Sequence, residues 1–240
     1  MHSPFVFDFI LNVLNNGKNY APPEDVELLR RELKYNHTTL EVEDMGAGSR
    51  SGSSRRKAVS KIARTALKPK KYSQLLFRLT KHYQPECIVE LGTSLGVTTS
   101  YLAKAAPSSQ VISVEGSKSI FEIANDNFKK LHLENVHAIN GNFNTVLPEI
   151  LQAISTVDLA YIDGNHRMEP TLRYFQQLLS RSNNETIFVF DDIHWSEEME
   201  EAWQKIKEHP SVRCTIDIFF LGFVFLRKEF KAQQHFTIRF

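Results

Sequence analysis

The sequence predicts an α/β chain: a doubly wound parallel sheet with an antiparallel terminal hairpin strand, preceded by an N-terminal helical appendage. Three observations carry this expectation. From Cys87 onward, short apolar runs alternate with helical segments, the pattern of parallel strands covered on both faces. Two further apolar runs near the end of the chain are joined by too few residues for a crossover and must pair antiparallel. The 240 residues, 42% hydrophobic and 24% charged, suffice for one sizeable core and leave no room for two full domains.

Taken in order, Phe5, Phe9 and Val13 recur at helical spacing, and Pro22-Pro23 open a second helix through Val26, Leu29 and Leu33. A short β-like run from Thr38 leads into a Gly/Ser/Arg loop reaching Ser54. A basic helix is expected from Arg55 to about Leu67, and another from Tyr72 to His82, ending before Pro85. Residues 1–70 are therefore assigned to a helical appendage or lid and residues 71–240 to the main domain. There, strands are expected at Cys87-Ile-Val-Glu-Leu, Val111-Ile-Ser-Val-Glu, Val136-His-Ala-Ile-Asn, Val157-Asp-Leu-Ala-Tyr-Ile-Asp and Thr186-Ile-Phe-Val-Phe-Asp. Helices lie between most of them, and after the helix Ser196 to His209 the hairpin strands run from Val212 to Phe220 and from Gly222 to Arg227.

The formal charge is +1, from 29 basic and 28 acidic residues, so the whole molecule is no polyelectrolyte binder. The distribution is uneven: residues 50, 55, 56, 57, 61, 64, 68, 70, 71, 78 and 81 are Lys or Arg, and from Arg50 onward no acid occurs before Glu86. Such a run suits an anionic substrate or an RNA backbone, but more often forms a solvated helix face. Cys87 and Cys214 sit in apolar runs and read as core thiols. The first residues lack the basic stretch of a secretory signal, and no run approaches the roughly 18 apolar residues of a membrane span. The expected location is cytoplasmic, with no membrane partner.

In an open doubly wound sheet, ligands bind beyond the carboxyl ends of the strands. Here those ends carry Glu90, Glu115, Asp163 and the pair Asp191-Asp192, while the third strand runs into Gly141-Asn142. One acid at such a place is as readily a helix cap. The first turn, Glu90-Leu-Gly-Thr-Ser-Leu-Gly96, has the spacing G-x-x-x-G and lacks the G-x-G-x-x-G that cradles a dinucleotide. A carboxylate at Glu90 repels a pyrophosphate and can pair with an ammonium. Glu115, ending the next strand, is placed to accept hydrogen bonds from ribose hydroxyls. A ribose joined to an amino-acid zwitterion describes S-adenosylmethionine.

The chain resembles the class I S-adenosylmethionine-dependent methyltransferases, and among them the small-molecule O-methyltransferases of the catechol and caffeoyl-CoA type. The likeness spans roughly residues 70 to 227. Its carriers are Gln74-Leu-Leu, Ile88-Val-Glu-Leu-Gly-Thr-Ser-Leu-Gly-Val, Ser113-Val-Glu-Gly, Ile123-Ala-Asn-Asp-Asn-Phe, Gly141-Asn-Phe, Tyr161-Ile-Asp-Gly-Asn-His and Val189-Phe-Asp-Asp-Ile. The resemblance implies a Rossmann-like fold and a small-molecule acceptor. It implies that Glu90, Gly92, Thr93, Ser94 and Gly96 hold the methionine part and Glu115 with Gly116 the ribose. Gly141, Asn142 and Phe143 would border the adenine, and Asp163 would lie beside the methyl group. A second glycine turn, Glu43-Asp-Met-Gly-Ala-Gly-Ser, is followed by no helix and reads as a decoy, whose Gly46, Gly48, Ser49 and Arg50 are candidates to close over substrate.

Methyl transfer requires an aligned and deprotonated nucleophile, and two routes are open. Asp163, Asp191 and Asp192 form a candidate site for a magnesium-like divalent cation. The metal-dependent relatives have Asn where this chain has Asp192, and Gly164-Asn165-His166 is an insertion after Asp163. Alternatively His166 or His194 acts as general base, beside Asp163 and Asp191. Trp195 reads as a packed aromatic. A methyltransferase acting on RNA or protein through the basic segment 50–81 is the alternative, disfavoured by the lack of an Asn-Pro-Pro-Tyr-like signature at the fourth strand. The N-terminal helices are a candidate homodimer face.

Overall fold

The protein is described by a computed structural model covering residues 3–17, 20–43 and 55–240. Helix α1 (Pro4–Phe9) is capped by the Ser3 hydroxyl, which accepts from the Val6 amide at 3.4 Å, and continues as a π-helical stretch, Ile10–Leu14. Helix α2 (Glu24–Leu33) follows, with three acids in its first turn and two arginines in its last, the arrangement its dipole favours. Strands β1 (Thr39–Val42) and β2 (Arg55–Ala58) pair antiparallel, Thr39 opposite Ala58. The sequence led us to expect helix from Arg55, whereas α3 is confined to Val59–Thr65. Ladder pairing with β1 holds residues 55–58 extended, which charge and propensity alone do not reveal. The Gly46, Gly48, Ser49 and Arg50 loop lies outside the described residues.

Helix α4 (Lys70–Tyr83) leads into the main α/β layer, as its left-handed terminal residue Gln84 turns the chain toward Pro85. Strands β3 (Cys87–Leu91), β4 (Gln110–Glu115), β5 (Val136–Asn140), β6 (Val157–Ile162) and β7 (Ser182–Asp191) are parallel. They alternate with α5 (Val97–Ala105), α6 (Lys118–Lys130), α7 (Phe143–Ala153) and α8 (Met168–Leu179). After α9 (Glu197–Glu208), β8 (Cys214–Asp217) and β9 (Leu221–Phe225) form the expected antiparallel hairpin, with β9 inserted between β7 and β8. Within this sheet β10 (Gln234–Thr237) was not anticipated: it adds parallel to β8, giving the order β10-β8-β9-β7-β6-β3-β4-β5. The result is the Rossmann-like, doubly wound sheet of the sequence expectation.

Successive strand residues point to opposite faces, and each face has its own core. Ile88, Val111, Leu159 and Val189 face α1, α4 and α5, together with Val6, Phe9, Val13 and Leu14. Val89, Ile112, Ala160 and Phe188 face α7, α8 and α9. Helix α1 and its π-helical extension thus share the core of the sheet. The basic run does not make one solvated face: Lys68 and Arg78 are buried, and Arg78 donates to the Val13 and Leu14 carbonyls at 2.7 and 3.2 Å. Cys87 and Cys214 are free thiols, pushed up by burial to about 11 and about 12. Among the described residues no helix is long and apolar enough to cross a membrane.

Candidate active site

The carboxyl ends of β3, β4, β6 and β7 surround a cavity of about 630 Å³. Its floor is the turn after β3. Gly92 has φ +111°, and a Cβ there would stand 2.0 Å from the Asp163 carbonyl oxygen, so only glycine lets β3 pass this close to the end of β6. The Asp163 amide in turn donates to the Leu91 carbonyl at 2.8 Å, and the Gly92 amide to that of Val114 at 3.0 Å. Glu115 is fixed by backbone donors, Ser94 at 2.8 Å and Ser117 at 2.9 Å. Burial raises its carboxyl above the usual range, against the pull of those amides.

Of the residues expected to hold a cofactor, Gly92, Ser94, Glu115, Gly116, Gly141, Asn142, Phe143 and Asp163 line this one cavity. Glu90, Thr93 and Gly96 do not. Glu90 is fully buried, its Oε2 accepting from Thr99 and Ser113 at 2.5 Å each, while Oε1 has no partner. Burial pushes it up to about 8. Thr93 shares a hydroxyl contact with Ser113 at 2.5 Å, and Gly96 starts α5 with φ +79°. These three support the turn from behind. Glu90 lies beneath the acidic rim, where the charges of Glu115 and Asp163 add to burial in disfavouring its ionisation. On the opposite wall Asn142 caps α7, accepting from the Asn144 amide at 2.9 Å. Phe143 packs over Gly164, where a Cβ would meet its ring at 2.5 Å.

Asp163 Oδ2 accepts from the Tyr161 hydroxyl at 2.9 Å, and Oδ1 lies 3.5 Å from His166 Nε2. His166 faces the cavity on a turn in which Asn165 and His166 both have positive φ, +70° and +34°. Asn165 is anchored through its amide to the Tyr174 hydroxyl at 3.1 Å, which donates onward to Asn144 at 3.1 Å. His194, the other candidate base, is not in the cavity. Its Nε2 meets Asp217 at 2.8 Å and its Nδ1 meets Glu200 at 3.3 Å, and it stacks on Phe219. Trp195, expected to be packed, is 74% exposed at the cavity rim. It follows the left-handed Asp192 by only three residues, and that tight exit from β7 leaves its ring outside the core.

At the expected divalent-cation site Lys68 stands among the carboxylates. Asp163, Asp191 and Asp192 do converge, but the Lys68 ammonium is in contact with Asp191 Oδ2 and lies 3.6 Å from Asp192 Oδ1. Among the described residues no cluster of three or more His, Cys, Asp or Glu is arranged to hold a metal. Burial opposes the charge on Lys68, yet the carboxylates of Asp191, Asp163 and Asp192 outweigh it and hold the ammonium above the ordinary lysine range. Burial and the neighbouring Asp163 push Asp191 well up, against the pull of Lys68. Lys68 reaches this place because its own carbonyl is gripped by Arg30 Nη1 of α2 at 2.7 Å and by the Ser73 hydroxyl at 3.3 Å. Nothing in the sequence pointed to this partner beyond a lysine between Leu67 and Pro69 in a basic run free of acids.

A family model described as a methyltransferase domain matches residues 89–193, which span β3 to the exit of β7. No curated protein matches the chain. Among solved structures, an SAH-bound methyltransferase from Podospora anserina aligns over 95% of this chain and 97% of its own, with TM-score 0.68 and 12% identity. An O-methyltransferase from Bacillus cereus in complex with SAH aligns over 90% and 97%, with TM-score 0.62 and 17% identity. The O-methyltransferase TomG from Streptomyces achromogenes, in complex with SAM, aligns over 90% and 96%, with TM-score 0.62 and 15% identity. At these identities the likeness is one of fold.

Proposed function

We propose that this chain, whose residues 89–193 match the methyltransferase-domain family, is an enzyme that transfers a methyl group from S-adenosylmethionine to an oxygen of a small molecule. The observation that carries the reading is the single cavity that joins the Gly92 turn and Glu115 on one side to Asp163, His166 and Lys68 on the other. Its volume, about 630 Å³, is within the range of small-molecule sites. When bound, S-adenosylmethionine supplies an electrophilic methyl on a sulfonium sulfur. The residues present suit it: Glu115, oriented by the Ser94 and Ser117 amides, keeps lone pairs for vicinal hydroxyls, and the Phe143 ring offers an apolar face.

The chain's own residues then have separable tasks. Tyr161 orients Asp163 through Oδ2, and Asp163 Oδ1 holds His166 by Nε2, leaving Nδ1 to receive the proton of an acceptor hydroxyl. Trp195 at the mouth supplies an aromatic wall for the acceptor. Within the basic segment, Lys68 and Arg78 are withdrawn into the fold, which takes two of its charges away from an RNA or protein substrate. Free Cys87 and Cys214 fit the cytoplasmic reading, and exposed Phe7 and Leu11 on α1 and its π-helical extension fit a homodimer face, which light scattering would test.

Calorimetry with S-adenosylhomocysteine tests the cofactor: we expect binding, and its absence would remove the assignment. With labelled S-adenosylmethionine and a panel of phenols, label is expected on oxygen. His166→Ala should lower kcat about 10²- to 10⁴-fold, the usual contribution of a positioned base, with little change in cofactor affinity.

A further inference from the structure

We propose that Lys68 is the built-in cation of this site: its ammonium, seated against Asp191 and Asp192, takes the position of a divalent ion and offers the acceptor oxygen its positive charge, so that transfer proceeds without metal. The proposal rests on the methyltransferase reading for its chemistry, and on three observations for its geometry. First, the ammonium is buried and in contact with Asp191, which is itself 2% exposed. Second, Asp191 Oδ1 has no hydrogen-bond partner, so Lys68 carries the compensation of that buried carboxyl. Displacing the lysine would strand its buried ammonium without a partner, so an incoming ion cannot simply push it aside. Third, the lysine is held at its root. Arg30 and Ser73 grip its carbonyl, Arg30 also donates to the Ser73 hydroxyl at 2.7 Å, and Pro69 begins the next turn.

The specificity follows from coordination chemistry. A divalent ion binds two neighbouring oxygens of a vicinal diol in one chelate, whereas an ammonium is a point charge with three donors and no chelating preference. Lys68 lines the cavity and spends its contacts on two carboxylates, leaving a donor for one acceptor oxygen. The acceptor class is therefore a molecule anchored by a single acidic hydroxyl, with no requirement for a second one beside it.

The test uses the full chain and Mn²⁺ as the probe, read by electron paramagnetic resonance with and without S-adenosylhomocysteine. The wild type is expected to leave Mn²⁺ free at millimolar concentration. Lys68→Met should tighten Mn²⁺ binding at least about tenfold by freeing two carboxylates beside Asp163, and Lys68→Arg should not. Methyl transfer by the wild type should be unchanged in EDTA. An ion bound by the wild type, or no gain in a folded Lys68→Met protein, overturns the proposal. If Lys68→Met does not fold, the wild-type titration decides alone. Calorimetry with S-adenosylhomocysteine, run in parallel, separates the two ideas: cofactor binding together with a bound ion defeats the lysine and spares the methyltransferase, whereas no cofactor binding defeats the methyltransferase.

Discussion

Glu90 shows how a side chain can serve a site without touching its contents. Its carboxyl, raised by burial to about 8 against an ordinary 4.5, keeps a proton in the folded chain that the unfolded chain has lost. Between about pH 4.5 and pH 8 the folded state binds more protons, so stability must fall as pH rises through that window and level off above it. The slope from this group is at most about 1.4 kcal/mol per pH unit. Glu90→Gln should flatten that slope, a result that urea melts at pH 5, 7 and 9 would check. Gly92 makes a sharper demand. Gly92→Ala places a Cβ against the Asp163 carbonyl and should cost about 3 kcal/mol or more, seen as a lowered midpoint in the same melts.

At the scale of elements, α2 acts on the chemistry from a distance. Arg30→Met removes the grip on the Lys68 carbonyl and on Ser73, two buried hydrogen bonds from a charged group. It is expected to cost about 2–3 kcal/mol and to lower kcat more than cofactor affinity. Calorimetry beside steady-state kinetics would show that split. Arg78 does the comparable service for the end of the π-helical stretch, whose last carbonyls it satisfies. Arg78→Met should therefore loosen residues 10–17 first, and hydrogen exchange would report it as lost protection there while the β3–β7 amides stay protected. Arg78 and Lys68 explain why part of the basic run is internal: one is spent on carbonyls and the other on carboxylates of this same chain.

For the molecule as a whole, a formal charge of +1 leaves little power to hold a polyanion. Filter binding at 50 mM and 200 mM salt should show no tight, steeply salt-dependent RNA complex. The sheet and its rim were legible because near-continuous apolar runs ending in Glu115, Asp163 and Asp191 leave few alternatives. The missed strands have physical reasons. Residues 55–58 are Arg-Arg-Lys-Ala and become extended only by pairing with β1, while Gln234–Thr237 is a half-exposed edge with weak alternation. Lys68 escaped notice because a charge count says nothing about depth. Trp195 was misjudged because sequence alone cannot tell a ring at a rim from one in a core.

Ser94, Asn165, His166 and Asp192, none of them glycine, all sit in the left-handed region around one cavity. Replacing Asn165 by glycine would relax one such corner, and the melting temperature should climb even though a hydrogen bond to Tyr174 is forfeited. Turnover should drop in the same variant, as the imidazole next door gains room to wander. Sturdiness and speed would then pull against each other at a single position, and directed evolution for heat tolerance would find that trade early.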